Sequence, residues 1–207
     1  MIASVLAFFG CSTSTTPLPT NNSATQSTVA EQAQPATKPT NRDLVNPESL
    51  ALQEINWEQL QEVVASHKGK VVVVDIWSTS CEPCLREFPH LVALQQRHPD
   101  DVVCISFDCD YIGAKNKAVG YYRERVLKQL TSQHAVKLIN GMSTTAADEL
   151  FQQLDIDSIP AVYVYDRTGK LSKRFDNRTP AGDSEEGISY EKQIDPLVAD
   201  LVKAEKI

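Results

Sequence analysis

Residues 70–89 read KVVVVDIWSTSCEPCLREFP, and this stretch contains the two features that decide the fold class. The apolar run Lys70–Trp77 has the length of one strand, and an unbroken apolar run is typical of a strand covered on both faces. Cys81 and Cys84 follow it and open a segment that is predicted to be helical to about His98. A buried strand that leads directly into a helix indicates an α/β sheet.

The cysteine pair lies at the predicted start of this helix, and Pro83 suits its first turn, where the missing N–H has no cost. Unpaired backbone N–H groups and the helix dipole stabilise a thiolate at a helix amino terminus. Cys81 is nearer to this field, and Cys84 lies nearly one turn further on, within disulfide reach. The spacing predicts that Cys81 attacks a disulfide and Cys84 resolves the product. A structural bridge is one alternative, and a zinc site, which would need two more ligands, is another.

The patterns on either side predict the remaining elements. Further strands are predicted at 50–55, 101–107, 136–139, 161–165 and 171–175, and further helices at 57–67, 117–134, 143–154 and 188–206. Asn56 can cap the first helix, and one of Ser143, Thr144 and Thr145 can cap the fourth. The turn residues Asp166–Gly169 predict a hairpin. This order predicts a central mixed sheet flanked by helices on both faces.

The amino-terminal part differs in composition from the rest of the chain. Residues 1–10, MIASVLAFFG, are too short to span a membrane as a helix but resemble a secretory signal. Cys11 follows at once, as in the bacterial lipoprotein pattern, so we expect its lipidation; a plain secretory signal with an incidental Cys11 is the alternative. Residues 11–45 are polar and proline-containing, which predicts a disordered tether. Residues 46–207 form the predicted folded domain.

Charge and cysteine count exclude two classes of protein. A formal charge of −7 over 207 residues, without a Lys/Arg run, argues against a nucleic-acid partner. Five cysteines that include only one closely spaced pair do not indicate a disulfide framework. Cys104, inside a predicted strand, is interpreted as a buried structural thiol. A Cys104–Cys109 bridge is the alternative.

Two separated motifs resemble one known family. Trp77 followed by CEPCLREFP at 81–89 resembles the active-site motif of thioredoxin-fold proteins, and most closely that of the membrane-tethered bacterial TlpA/ResA-like group. Downstream, LDIDSIP at 154–160 followed by AVYVYDRTGKL is similar to the second signature of that family. The resemblance extends from about residue 47 to 205. It implies a thioredoxin-like fold and no organic cofactor, since the electrons reside in the cysteine pair.

Carried over to this chain, the resemblance implies roles for residues around the pair. Cys81 is the attacking thiol and Cys84 the resolving thiol. Pro160 corresponds to the cis-proline that lies beside the disulfide and holds the substrate backbone, and Ile159 would offer backbone groups to the substrate. A trans turn proline is the alternative.

Three further residues are candidates around this pair. Asp75, in the buried strand, should have a raised pKa that suits it to accept the Cys84 proton. Glu87 matches an acid of the ResA-like group, and Trp77 would pack beside the disulfide and shape the contact surface. The alternatives are a structural acid for Asp75, a solvated helix residue for Glu87 and ordinary core for Trp77.

The function implied by the resemblance is an extracytoplasmic, membrane-anchored bacterial thiol-disulfide oxidoreductase. We expect it to reduce protein disulfides, for instance in cytochrome c maturation, with electrons from a membrane reductase and a lipid anchor at Cys11. Ser80 stands where the family commonly has Trp, and Ile159 where Thr is frequent, so the substrate identity stays open.

Two other functions use the same residues. A copper-binding module could hold Cu(I) between the two thiolates. A peroxidase-like relative would need a Thr three residues before Cys81, where this chain has Ser78, and a Pro upstream of it.

Overall fold

The computed structural model describes residues 50–176 and 187–204. The predicted signal at 1–10, Cys11 and the predicted tether at 11–45 lie outside the described residues.

Six strands and five α-helices make up the described part. The strands are β1 (Gln53–Ile55), β2 (Val71–Trp77), β3 (Val102–Asp108), β4 (Ile139–Ser143), β5 (Ala161–Tyr165) and β6 (Leu171–Phe175). The helices are α1 (Trp57–Ser66), α2 (Glu82–Arg97), α3 (Arg123–Ser132), α4 (Ala147–Leu154) and α5 (Asp195–Lys203). Short 3₁₀ turns at Val119–Tyr122 and Ala135–Lys137 and a π-helical turn at Tyr190–Ile194 connect them.

The strands form one mixed sheet in the order β1-β4-β3-β2-β5-β6. The first four strands of that order are mutually parallel. On the other side of β2, β5 pairs antiparallel with β2, and β6 pairs antiparallel with β5. All seven residues of β2 are buried, as the unbroken apolar run predicts. The predicted mixed sheet is confirmed, and its central strand leads directly to the cysteine pair.

Each face of the sheet has its own apolar cluster. Trp77, Phe88 and Leu130 belong to the cluster on one face, together with side chains of α2, α3 and α5. Leu60 and Leu150 represent the second cluster, to which α1 and α4 contribute. Helices therefore cover both faces, which confirms the predicted layers.

Local signals predicted α1 and the hairpin correctly. Asn56 accepts a hydrogen bond from the Gln59 backbone N–H and donates its own N–H to the Gln59 side chain, both at 2.9 Å. This reciprocal capping box is why α1 begins at Trp57. In the hairpin, the Gly169 N–H donates to the Asp166 carbonyl at 2.9 Å, and β5 and β6 have the predicted bounds.

The prediction of a strand at 136–139 is wrong. The chain forms a 3₁₀ turn at Ala135–Lys137, and β4 covers Ile139–Ser143 instead. Asn140 and Gly141 have low β-propensity, but tertiary contacts override it. The Asn140 side chain accepts from Ser106, and a Cβ at Gly141 would lie 3.1 Å from atoms of Ile55 and Phe107. Glycine thus permits the close packing between strands.

Three helix starts also differ from the prediction. A 3₁₀ turn that contains Gly120 delays α3 to Arg123. No side chain caps α4, because the Ser143 hydroxyl bonds to Thr145 within the preceding turn. The last predicted helix begins as a π-helical turn at Tyr190, and α5 starts only at Asp195.

Candidate redox site

The site is built where β2 ends and α2 begins. Cys81 is the N-cap residue of α2, and its Sγ accepts a hydrogen bond from the Cys84 backbone N–H at 3.2 Å. The two cysteines form a disulfide with their Cα atoms 5.3 Å apart. After reduction, the same N–H and the helix dipole are placed to stabilise a thiolate at Cys81.

The two sulfurs differ in access to solvent. Cys84 is only 2% exposed and belongs to the apolar cluster under α2, whereas Cys81 is partly exposed at the helix end. A substrate disulfide can therefore reach Cys81 and not Cys84. This difference in access supports the predicted division into an attacking and a resolving thiol.

The loop before β5 lies next to this turn. The peptide bond between Ile159 and Pro160 is cis, the conformation that the family resemblance implies. Ile159 lines a cavity of about 250 Å³ together with Ser78, Ser80 and Phe151. The cavity joins the turn before Cys81 to the loop before Pro160, so Ile159, which is predicted to contact substrate, borders the same space as that turn.

Asp110 holds the turn before the cysteines in place. Its carboxylate accepts from the Thr79 backbone N–H at 2.8 Å and from the Thr79 hydroxyl at 2.6 Å. Arg125 of α3 donates to the same carboxylate at 2.6 Å. Asp110 lies in the segment after β3, and no signal in the sequence indicates that it supports this turn.

Asp75 lies on the face of β2 that carries the cysteine helix. Side chains alternate along a strand, and Val73 and Trp77 on either side of Asp75 both belong to the cluster that includes Cys84. Asp75 is 2% exposed, and its Oδ2 accepts a hydrogen bond from the Tyr190 hydroxyl at 2.7 Å. Burial raises the pKa of Asp75 from 3.8 to about 7, while the Tyr190 hydrogen bond lowers it and the nearby Glu87 raises it further.

Glu87 is partly buried on α2, and its Oε2 accepts a hydrogen bond from the Tyr190 backbone N–H at 3.1 Å. It is therefore not simply a solvated helix residue. Glu87 and Asp75 meet at Tyr190, a residue that the sequence analysis did not select. An aromatic residue in an amphipathic carboxyl-terminal segment looks like ordinary core, so no sequence signal distinguished it.

The raised pKa of Asp75 predicts a pH-dependent stability. Between pH 4 and pH 7 the unfolded chain has released the proton that the folded chain keeps, so folding stability falls as pH rises. In Asp75→Asn this titration is absent. Between pH 4 and pH 8 we expect the wild type to lose about 4 kcal/mol relative to the variant, since the folded and unfolded chains differ by one bound proton over about three pH units. Urea unfolding of the oxidised proteins at both pH values measures this difference, and an equal pH dependence of the two proteins would contradict it.

Trp77 belongs to the apolar cluster that contains Cys84. Its side chain is fully buried and packs edge-on against Phe88 with ring centroids 4.9 Å apart. The buried ring favours the alternative of ordinary core over a direct contact with substrate. The strand alternation that turns Asp75 inward turns Trp77 inward as well.

Cys104 and Cys109 are both buried and free. Cys104 belongs to the cluster on the α2 side of the sheet and Cys109 to the cluster on the opposite side, so the alternative of a bridge between them is wrong. Burial raises the pKa of both thiols above the ordinary value. Cys104 is thus the buried thiol that the sequence predicted.

The described residues, 50–176 and 187–204, contain neither a cluster of metal ligands nor a helix that could cross a membrane. No group of three or more His, Cys, Asp or Glu side chains in these segments is placed to hold a metal ion. No helix in the same two segments has the length and apolar character needed to cross a membrane.

Comparisons with known proteins identify the fold. No family model and no curated protein matches the sequence. A solved protein of the thioredoxin-like superfamily has a TM-score of 0.51 at 14% identity, with 70% of this chain and 87% of that chain covered.

Two other solved structures are similar at lower TM-scores. The first, a thioredoxin-like protein in its oxidised form, has a TM-score of 0.49 at 18% identity over 72% of this chain and 84% of that chain. The second, a thiol:disulfide interchange protein of the thioredoxin family from Chlorobium tepidum, has a TM-score of 0.42 at 22% identity over 67% and 83%. The sheet order, the Cys81–Cys84 disulfide at the start of α2 and the match to the thioredoxin-like superfamily together give this chain a thioredoxin-like fold, as its two sequence motifs predict.

Proposed function

We propose that the chain is a thiol-disulfide oxidoreductase that reduces disulfides in protein substrates. The observation that carries this proposal is the difference in burial between the two linked sulfurs at a helix amino terminus, with Cys81 accessible and Cys84 2% exposed. The cavity lined by Ser80 and Ile159 supports it, because it offers a substrate chain space next to the residue that precedes Cys81.

The proposed reaction starts from the reduced chain. The Cys81 thiolate attacks one sulfur of the substrate disulfide, forms a mixed disulfide and releases the other substrate sulfur as a thiolate. Cys84 then gives its proton to Asp75 and attacks the Cys81 Sγ, and the second substrate thiolate leaves. The substrate gains two electrons, and the chain is left with the Cys81–Cys84 disulfide.

The cellular setting is also part of the proposal. A signal at residues 1–10 and lipidation of Cys11 would place the domain outside the cytoplasm on a membrane, with residues 11–45 as its tether. A membrane reductase would return two electrons to the Cys81–Cys84 disulfide after each cycle. Disulfides of apocytochrome c are one candidate substrate. The sequence motifs that resemble TlpA/ResA-like proteins support these assignments.

The reduction potential tests the direction of electron flow. The full chain is equilibrated with defined ratios of reduced and oxidised dithiothreitol, and its thiols are then trapped with a thiol reagent. We expect a two-electron couple at about −270 mV, the potential of thioredoxin. A reduction potential of about −120 mV would instead identify an oxidant that introduces disulfides. Without a reversible couple, the oxidoreductase proposal fails and the Cu(I) module becomes the leading alternative.

A further inference from the structure

Tyr190 connects the carboxyl-terminal segment to the redox site. It is the first residue of the π-helical turn, is fully buried and lies 115 positions from Asp75 in the sequence. Its hydroxyl donates to Asp75 Oδ2 at 2.7 Å. Within the described segments, Oδ1 of the same carboxyl group has no hydrogen-bond partner. Among the described residues, Tyr190 therefore supplies the side-chain hydrogen bond of this buried acid.

Several other titratable groups lie around Asp75 and Tyr190. Besides Tyr190, Glu87 of α2 acts on Asp75, and Asp75 in turn acts on the thiol of Cys104 in β3. Tyr190 itself also faces Cys104 and Asp195, and burial raises its pKa well above 10.0, so it stays a hydrogen-bond donor. The ring of His90 on α2 stacks on that of Tyr190 with centroids 6.4 Å apart. Asp195 is paired with Arg97, so its charge is partly compensated.

We propose that Tyr190 is a positioning residue for disulfide exchange, whose hydroxyl orients the Asp75 carboxylate and favours the ionised form that takes the proton from Cys84. This inference rests on the proposed function, since it assigns a role within that reaction. The Tyr190 O–H stays bonded throughout and is not consumed. Only the proton of Cys84 moves, to Asp75, as the Cys84 sulfur attacks Cys81 and the substrate thiolate leaves.

Tyr190→Phe removes the hydroxyl and keeps the ring. A hydrogen bond that lowers the pKa of Asp75 is then lost, so the carboxyl group ionises at a higher pH. We expect the midpoint of its titration to move upward by about one pH unit. At pH 7 the rate of resolution by Cys84 should fall about fivefold, because the ionised fraction of Asp75 falls by that factor. At pH 9 the rate should return close to the wild-type value.

Tyr122→Phe is the matched control. Tyr122 is also buried, and its hydroxyl has no hydrogen-bond partner among the described residues. The variant thus removes a buried tyrosine hydroxyl from the same apolar cluster without removing a bond to Asp75. We expect its Asp75 titration and its pH–rate profile to coincide with those of the wild type.

Two measurements on the full chain test the proposal. Carboxyl ¹³C NMR of the oxidised protein follows the ionisation of Asp75 directly and needs no turnover. Rapid mixing of the reduced protein with excess glutathione disulfide follows formation of the mixed disulfide at Cys81 and then its resolution by Cys84, from pH 6 to pH 9. In Tyr190→Phe, the midpoints of the Asp75 titration and of the pH–rate profile should both move to higher pH. Tyr190→Leu, which also lacks the hydroxyl, should show the same shift and replaces Tyr190→Phe if that variant does not fold. In Asp75→Asn the pH–rate profile should not change further when Tyr190→Phe is added.

The outcomes separate the two proposals. If the wild type reduces disulfides but the Asp75 titration of Tyr190→Phe is unchanged, the role of Tyr190 is overturned and the proposed function stands. A shifted titration with an unchanged pH–rate profile also overturns it, because Tyr190 would then have only a structural role. If the wild type shows no disulfide exchange at all, the proposed function fails, and the role of Tyr190 in that reaction fails with it.

Discussion

Replacement of Cys81 by Ser should reduce the rate of protein-disulfide reduction by roughly two orders of magnitude or more, to the level of the reductant alone. Cys81 is the accessible sulfur and accepts the Cys84 N–H at the start of α2, and Cys84 is too deeply buried to replace it as the nucleophile. The measurement is turnover of insulin disulfides by the full chain with dithiothreitol as the electron donor.

Replacement of Cys84 by Ser should have a different effect. Cys81 can still attack, but nothing resolves the product, so a stable mixed disulfide between Cys81 and the substrate should accumulate on a non-reducing gel. Cys109→Ala is the control, because that thiol is buried, forms no disulfide and has a raised pKa. It should turn over at the wild-type rate. Equal activity of Cys81→Ser and wild type would remove the basis of the proposed mechanism.

Phe88→Ala should cause the largest loss of folding stability that we expect from one substitution in α2. Phe88 is fully buried, lies one turn beyond Cys84 and packs edge-on against Trp77. Truncation of a buried aromatic side chain costs about 3–5 kcal/mol through lost transfer energy and the cavity left behind. Urea unfolding of the oxidised protein measures the free energy of unfolding of the variant and the wild type.

Ile112→Ala is the matched control for this substitution. Ile112 is 62% exposed, so its truncation should change the free energy of unfolding by no more than about 0.5 kcal/mol. A loss below about 1 kcal/mol in Phe88→Ala would mean that the neighbours of Phe88 collapse into the space it leaves. In that case the packing of Phe88 against Trp77 would contribute less to folding stability than its burial indicates.

Features that depend on neighbouring residues could be predicted from the sequence. The unbroken apolar run of β2, the Asn56 capping box and the Asp166–Gly169 hairpin turn each place their signal within a few residues. The same holds for the disulfide, because Cys81 and Cys84 are joined through a single helical turn. Local backbone geometry is sufficient for such features, because it brings residues that are close in sequence into contact independently of the tertiary fold.

Features that depend on distant residues could not be predicted. The position of β4 depends on how Gly141 packs against Ile55 and Phe107, which overrides the low β-propensity of its own residues. The inward orientation of Trp77 likewise follows from its place in a sheet that is covered on both faces.

The site shows the same division between local and long-range information. The sequence by itself determined the pair Cys81 and Cys84, its position at a helix start and the presence of an acid in the preceding strand. Only the tertiary structure decided that Asp110 holds Thr79 across 31 residues and that Tyr190 holds Asp75 across 115. The physical reason is burial: a polar group inside the protein needs a partner, and the fold of the whole chain determines which distant residue supplies it.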